Sequence, residues 1–325
     1  MAVPRGACFA AFLSAVVSGP ATVPELLRTL LVLLPLFVAS SARADDEPVG
    51  VVDHPALNEC SGIAASYENE SCLWLHNDSG DGPHLYLVTE TGSLQAKVVL
   101  QQTTPFDWED MCSFQVDGQS WLLIGDVGDN LKARGRRTPK CRLLLVREPH
   151  VSTSDKVQTL SWPVHSGIEF VYEDGLHDCE AIAVDVARRE ILLLTKTAPT
   201  QCGLYRLPLD LDQRDRSLTA ERIASPFVLL ATAMDISPDS SSLAIGNMWT
   251  GLLVRRDPQE SWADACGRVG QHVHLPPRRQ GETICFDRSG RWLCANSEGT
   301  NQPLWKIPLP SKSLNPRPKG QAAGN

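Results

Sequence analysis

The chain has 325 residues, with 38 acidic and 30 basic side chains and a formal charge of -8. That length supports one large all-β domain or two ordinary ones. The acidic balance argues against a nucleic-acid partner, which would need a basic stripe facing phosphates; the one dense basic run, "RGRRTPK" at residues 134–140, reads as a solvated loop.

The first element in chain order is a leader. "LLRTLLVLLPLFVASSARA" carries an apolar run over residues 29–39, with Arg5 and Arg28 upstream. Ala42-Arg43-Ala44 then supplies the small-x-small pattern of a signal-peptidase site. Cleavage after Ala44 is expected, giving a secreted or periplasmic protein with no membrane span. The alternative is an uncleaved anchor, although the run is short against the roughly 20 residues of a spanning helix. The expected domains are therefore a signal peptide at 1–44, a β domain at 45–308 and a disordered tail at 309–325.

From residue 45 onward helical periodicity is nearly absent. Short apolar strands recur: "CLWLHN", "HLYLVT", "AKVVL", "SWLLIG", "CRLLLV", "EILLLT", "GLYRL", "SLAIG", "GLLVR", "RWLCAN" and "LWKIPL". Turn residues divide them, as in "DSGDG", "VDGQ", "SPDSS" and "DRSG". Even spacing of short strands predicts a sandwich, barrel or propeller.

An internal repeat selects among these. "SGIAAS", "EDMCSF", "EAIAVD", "TAMDIS" and "ETICFD" align, each followed by a polar turn and an apolar strand. Their anchors, Ser61, Glu109, Glu180, Thr232 and Glu282, are 48, 71, 52 and 50 residues apart. A four-stranded propeller blade takes roughly 40–50 residues. The fold class is therefore all-β, a β-propeller of four-stranded blades with five visible repeats; the 71-residue interval leaves room for an insertion or a sixth blade. The last repeat lacks a strand, which "EPVGVVDH" at residues 47–54 would supply, closing the ring and removing exposed edges.

Nine cysteines follow the leader, with no CxxC pair and no zinc-ligand spacing. Several occupy apolar strand positions, where cysteine behaves as a small hydrophobe. Mostly buried free thiols are expected. Cys285 with Cys294, and Cys60 with Cys72, are the pairs that hairpins would bring together.

In a propeller the first strand of each blade lines the channel and begins near one mouth. Glu109, Glu180 and Glu282 then occupy equivalent places, with Asp107, Asp110, Asp178 and Asp235 beside them. The second strands end in "HND", "GDVGDN" and "SEG", which bring Asp78, Asp126, Asp129, Asn130 and Glu298 to the same mouth. Lys196 ends another second strand, and Arg278 and Arg279 precede Glu282. A ring of carboxylates must protonate, pair with cations or hold a metal. Calcium, which takes 6–8 oxygen ligands, is the natural guest, and Glu109, Asp126, Glu180 and Glu282 are the expected ligands. Magnesium would keep more of its own water.

A structural reading competes. "NDSGDG" and "GDVGDN" suit turns closed by Asx side chains, and first-strand acids can bind amides of the next blade. Asp78, Asp81 and Asp126 would then be structural, and Glu109, Glu180 and Glu282 would face the channel. "NDSGDG" opens like an EF-hand, but its twelfth position is Val88. The histidines of "LHND" and "LHDCE", and the "HVH" pair at His272 and His274, read as surface or hydrogen-bonded residues. There is no GxSxG, HExxH, Walker A or GxGxxG motif.

Taken in order, "LWLHNDSGD", "DWEDM", "GDVGDN", "YEDGLHDCEAIAVD", "LLLTK", "DISPD", "QGETICFD" and "SEG" resemble a group of uncharacterised exported bacterial β-propeller proteins across residues 58–299. The resemblance implies a propeller with a secretory leader and brings no activity with it. More distantly the pattern is similar to NHL-type and phytase-like propellers; in the latter, calcium on channel carboxylates binds phosphate. Here the first and fourth anchors are Ser61 and Thr232, and phosphate-binding cations are sparse. Two functions follow. One is an exported propeller that binds a small molecule or a protein through its acidic mouth. The other is a calcium-dependent hydrolase of phosphoesters or other esters.

Overall fold

A computed structural model describes residues 47–78, 80–129, 140–152, 154–212 and 216–310. The leader, the segment 130–139 with Asn130, and the tail from 311 lie outside the described residues.

Five four-stranded blades are present among the described residues. β1 (Gly50–Val52) comes first in sequence and belongs to the last blade. Blade one is β2 (Cys60–Ala65), β3 (Cys72–Asn77), β4 (His84–Thr89) and β5 (Leu94–Gln101). Blade two is β6 (Trp108–Val116), β7 (Gln119–Asp126), β8 (Cys141–Arg147) and β10 (Ser166–Tyr172), with β9 (Gln158–Pro163) between the last two in sequence. Blade three is β11 (Cys179–Asp185), β12 (Glu190–Thr195), β13 (Leu204–Pro208) and β14 (Arg216–Ala224). Blade four is β15 (Ala231–Ile236), β16 (Ser242–Asn247), β17 (Gly251–Arg255) and β18 (Gln271–Val273), with the short helix α1 (Trp262–Cys266) before its outer strand. Blade five is β19 (Thr283–Phe286), β20 (Trp292–Asn296), β21 (Gln302–Pro308) and β1.

The inner strands β2, β6, β11, β15 and β19 are successive neighbours, and β19 returns to β2. β1 pairs antiparallel with β21, Gly50 opposite Leu304, so the first strand completes the last blade. The long interval contains no sixth blade among the described residues. Its surplus is β9, which crosses back and pairs in parallel with β5 at the outer edge of blade one. A second parallel pairing, β10 with β14, joins the rims of blades two and three.

Each blade buries both faces. Trp74, Leu85 and Leu87 of blade one pack on Trp108, Leu122 and Leu144 of blade two. Ile63 and Leu75 pack on Cys285 and Leu304 of blade five. Hence β2, β11, β15 and β16 are buried at every position and show no exposed face. Alternation is seen in the rim strand β9, exposed at every second position. Burying one such Leu or Ile contributes roughly 1.5–3 kcal/mol, so the wedge-shaped interfaces hold the ring.

Polar pins add to this on the face away from the first-strand starts. Glu148 of blade two accepts from Trp74 Nε1 at 2.8 Å and from the Tyr67 amide. Asp185 pairs with Arg256 at 2.6 Å, both buried, and accepts from Trp262 Nε1 at 2.9 Å. All nine cysteines of the described residues are free thiols. Cys285 and Cys294 stand opposite each other, whereas Cys60 faces Asn77, so the expected proximity of Cys60 to Cys72 is corrected by the register.

Candidate functional site

Four of the five anchors, Ser61, Glu109, Glu180 and Thr232, sit in β-bulges, and Glu282 precedes its strand. The ladder slips one or more places between Cys60 and Gly62, Trp108 and Met111, Cys179 and Ala181, and Ala231 and Ala233. A bulge takes a residue out of the pleat and re-aims its side chain. The chemistry of each anchor then decides its target. Ser61 Oγ donates to Trp108 O at 3.3 Å, and Thr232 Oγ1 donates to Gly281 O at 3.0 Å, each binding a neighbouring blade. Glu109 and Glu180 turn into the mouth.

There the carboxylates converge. Asp78, Asp107 and Glu109 bring three oxygens within 4.8 Å of one another, and Glu109, Asp178 and Glu180 form a second such group. Glu109 belongs to both. It is only 3% exposed, and its Oε1 has no hydrogen-bond partner. Such an atom is costly unless something occupies the space before it. Burial, then the charges of Glu180, Asp78, Asp107 and Glu282, push the Glu109 carboxyl well above the usual range. Glu180 is also raised by burial, although Lys196 pulls it back. Asp178 is raised for the same first reason.

The wall of the pit is backbone. A Cβ on Gly128 would lie 2.1 Å from Glu109 Oε1 and 2.7 Å from Asp107 Oδ2, so only glycine allows this approach. The Val127 and Gly128 amides donate to Asp107 O at 3.1 and 3.2 Å, fixing the strand end against the acids. "GDVGDN" is therefore a cradle. Its Asp126 accepts from the Phe106 and Asp107 amides, both at 3.1 Å, and holds the preceding loop. The Asp129 amide donates to Asp178 Oδ1 at 2.8 Å.

Among the described residues, Lys196 brings a cation to these acids. Its ammonium donates to Glu180 Oε2 and lies 4.0 Å from Glu282 Oε1. Burial alone would lower its pKa, but Glu180 and Glu282 outweigh that and hold it above the usual range. Gln280 Nε2 donates to Glu282 Oε1 at 3.0 Å. Arg278, lowered by burial to about 10 with Glu282 opposing, donates to Thr283 O and Asn247 O.

The expected set is therefore divided. Asp107, Glu109, Asp178 and Glu180 meet, with Lys196 and Glu282 beside them. Of the four expected metal ligands, Glu109 and Glu180 fall in a carboxylate group, Asp126 holds a loop, and Glu282 faces Lys196. Asp110 and Asp235 are corrected: they do not face the mouth. Asp110 Oδ2 accepts from Ile182 and Met234 amides at 2.9 and 3.1 Å, and its Oδ1 from the Met111 amide. It thereby joins blades two, three and four. Asp235 accepts from the Ile236 and Phe286 amides at 2.8 and 2.7 Å and joins blades four and five. Glu298 is half-buried beyond the two groups, its amide donating to Gln280 O.

Asp78, which the second-strand ending brings to the mouth and the Asx-turn reading would make structural, falls in the first carboxylate group. Asp81 does close that turn, accepting from the Gly82 amide, Asn77, His84 and Tyr86. His76 is a core residue, its ring edge-on to Trp108 at 5.3 Å and its pKa lowered by burial. His177 hydrogen-bonds Asp174 at 2.8 Å and Tyr205 at 2.9 Å.

The donor set of the mouth is oxygen only. A buried acidic cluster with an orphaned carboxylate oxygen could hold a metal ion, and a hard cation fits it. No helix among the described residues is long and apolar enough to cross a membrane.

No protein-family model matches the chain, and no curated protein matches it. Among solved structures it is similar to a gluconolactonase from Xanthomonas campestris, at 13% identity over 77% of this chain and 72% of that one, with a TM-score of 0.42.

Proposed function

We propose that this is an exported propeller whose acidic mouth holds one divalent cation, calcium by its chemistry, and uses it to bind a small molecule. The observation that carries the reading is Glu109 Oε1, a buried carboxylate oxygen without a partner at the junction of two carboxylate groups. Asp78, Asp107, Glu109, Asp178 and Glu180 would hold the ion. Calcium suits a site of carboxylates and carbonyls without imidazole or thiolate, and it tolerates irregular geometry. Export rests on the leader pattern ending at Ala44.

A second reading is hydrolysis of a carboxylic ester. Carboxyls raised by burial at Glu109 and Glu180 can hold and hand on a proton. A bound cation would supply polarisation of a carbonyl oxygen.

The test is a thermal melt with calcium titrated against a chelator. A ligand that binds only the folded state adds RT ln(1 + [L]/Kd), about 2.7 kcal/mol at a hundredfold excess over Kd. The native protein should show a saturable rise in Tm, and Glu109→Gln should abolish it while melting higher without calcium. A flat response in the native protein would end the cation reading.

A further inference from the structure

The face opposite the mouth carries a cleft between blades two and three. There β6 and β11 end, β7 and β12 begin, and β8 ends where β10 starts. The cleft measures about 380 Å³, the size of a small-molecule site. Blade two supplies one wall. Trp121 of β7 is 2% exposed, and its Nε1 is buried without a hydrogen-bond partner. Arg147, its register partner on β8, lies over the indole, with the guanidinium carbon 4.7 Å from the ring centroid. His165 packs edge-on against the same ring at 4.9 Å. The Arg147 guanidinium donates to Gln119 Oε1, and among the described residues no carboxylate pairs with it.

Blade three supplies the other wall, with Arg189 from the β11–β12 turn and Leu211 and Asp212 from the segment after β13. His165 Nε2 lies 3.4 Å from Leu211 O, so the two walls meet on that side. Arg189 Nη2 lies 3.3 Å from Asp117 Oδ2 of blade two, but the two side chains are 51% and 84% exposed. Such a solvated pair is weak and leaves Arg189 open to competition. A guanidinium stacked on an indole keeps its plane fixed and its N–H edge available to an acceptor in that plane. Two oxygens side by side, as in a carboxylate, match that edge. The orphaned indole N–H shows the same shortage of acceptors in this wall. Val116 and Leu211 add apolar surface to the cleft. The acids that share the cleft, Asp117 and Asp212, are both exposed, so they repel a second negative charge more than they block a single one.

We propose that this cleft is a second binding site, for a small monocarboxylate with an apolar body. The carboxylate sits on the edge of Arg147, with Arg189 as the second cation, and the body rests against Val116 and Leu211. The site uses none of the mouth residues and does not depend on a cation being bound there.

The experiment is calorimetric titration of the full chain with 3-phenylpropanoate, its neutral amide and phenyl phosphate. The carboxylate should bind about tenfold or more tightly than the amide, as a charge-assisted hydrogen bond predicts, and more tightly than phenyl phosphate. Arg147→Met keeps an aliphatic cover on Trp121 and should lower the affinity about tenfold or more. Arg189→Asn should lower it severalfold. Arg189 has a φ of 55°, which asparagine adopts readily, so the fold should tolerate this second variant. Asp117→Asn releases Arg189 and should tighten binding. Glu109→Gln should leave the affinity unchanged. Equal affinity for acid and amide, or an affinity unchanged in both arginine variants, overturns the carboxylate site. Tighter binding of phenyl phosphate overturns the choice of a monoanion. Weaker binding in Asp117→Asn overturns the role of Arg189. A loss in Glu109→Gln as large as that in Arg147→Met puts the ligand at the mouth and overturns the second site.

Discussion

Glu109 and Asp110 are consecutive residues of one bulge, and their carboxylates go to opposite places. Glu109 ends with an unpartnered oxygen in the mouth, whereas Asp110 takes three backbone amides from three blades at the centre of the ring. The slipped register between Trp108 and Met111 makes this possible, since in a regular strand neighbours would point to the two sheet faces. One residue is stripped of local bonds and the other saturated with them, which separates binding from fastening within "WEDM".

Asp110→Ala should therefore destabilise the ring without touching the mouth. It leaves the Met111, Ile182 and Met234 amides buried and unbonded, at roughly 1–3 kcal/mol each when nothing replaces the acceptor. A loss on the order of 3 kcal/mol or more is expected in denaturant unfolding. Asp110→Asn keeps one acceptor oxygen and should lose less. A change below about 1 kcal/mol for alanine would mean that the amides find other partners.

Without a cation the protein should become less stable as pH rises. Burial raises Glu109 and Glu180, and takes Asp235 to about 7. Between the ordinary carboxylate value of about 4 and that of Asp235, the folded state keeps protons that the unfolded chain has released. Stability then falls with pH across this window. Asp81, Asp174 and Glu260 are lowered, so their contribution is lost only at more acid pH. His76, lowered by burial, opposes the trend below its ordinary value of 6.5, one group against Glu109, Glu180, Asp235, Asp110 and Asp178, which burial raises. Calcium replaces protons at Glu109 and Glu180 and should flatten or reverse the fall. Melting curves in chelator and in calcium at stepped pH check this; a Tm in chelator that climbs from about pH 5 to about pH 7 would contradict it.

Gly128→Ala should damage the mouth while sparing the fold. The added methyl would meet Glu109 Oε1 at 2.1 Å, so the carboxylate must swing away. Calcium affinity should drop at least tenfold, about 1.4 kcal/mol in binding free energy. The melt in chelator should change little, because moving a repelled carboxylate relieves as much as it disturbs. Unaltered calcium affinity would show that Glu109 is not a ligand.

Much of the fold is legible in the sequence because each blade is buried on both faces. The strands stand out as apolar runs such as "EILLLT", and the repeat gives their order. The extra length in blade two was ambiguous for a physical reason: β9 gains its partner β5 from a different blade, and a parallel pairing across sixty residues leaves no local pattern. The site is half legible. Acid-rich strand starts point to the mouth, but which acid faces it depends on bulges, and a bulge is a one-residue slip with no side-chain signature. Asp110 and Asp235 are misplaced for that reason, and Asp78 has two readings in the sequence because its turn has an equally good local explanation.

Lys196→Met should move stability and calcium affinity in opposite directions. Lys196 donates to Glu180, whose side chain is 2% exposed, and its own is 19% exposed. Removing one partner of a buried pair commonly costs about 3–5 kcal/mol, and the partial exposure of the lysine reduces this to about 2 kcal/mol. The protein without calcium should therefore melt lower. The mouth, however, becomes one charge more negative, and Glu180 loses its competing counter-ion, so calcium should bind severalfold more tightly. A larger calcium-induced rise in Tm from a lower starting point is the expected signature. General damage to the mouth would instead lower both quantities together, and that result would remove Lys196 from its place as the internal counter-ion of the acids.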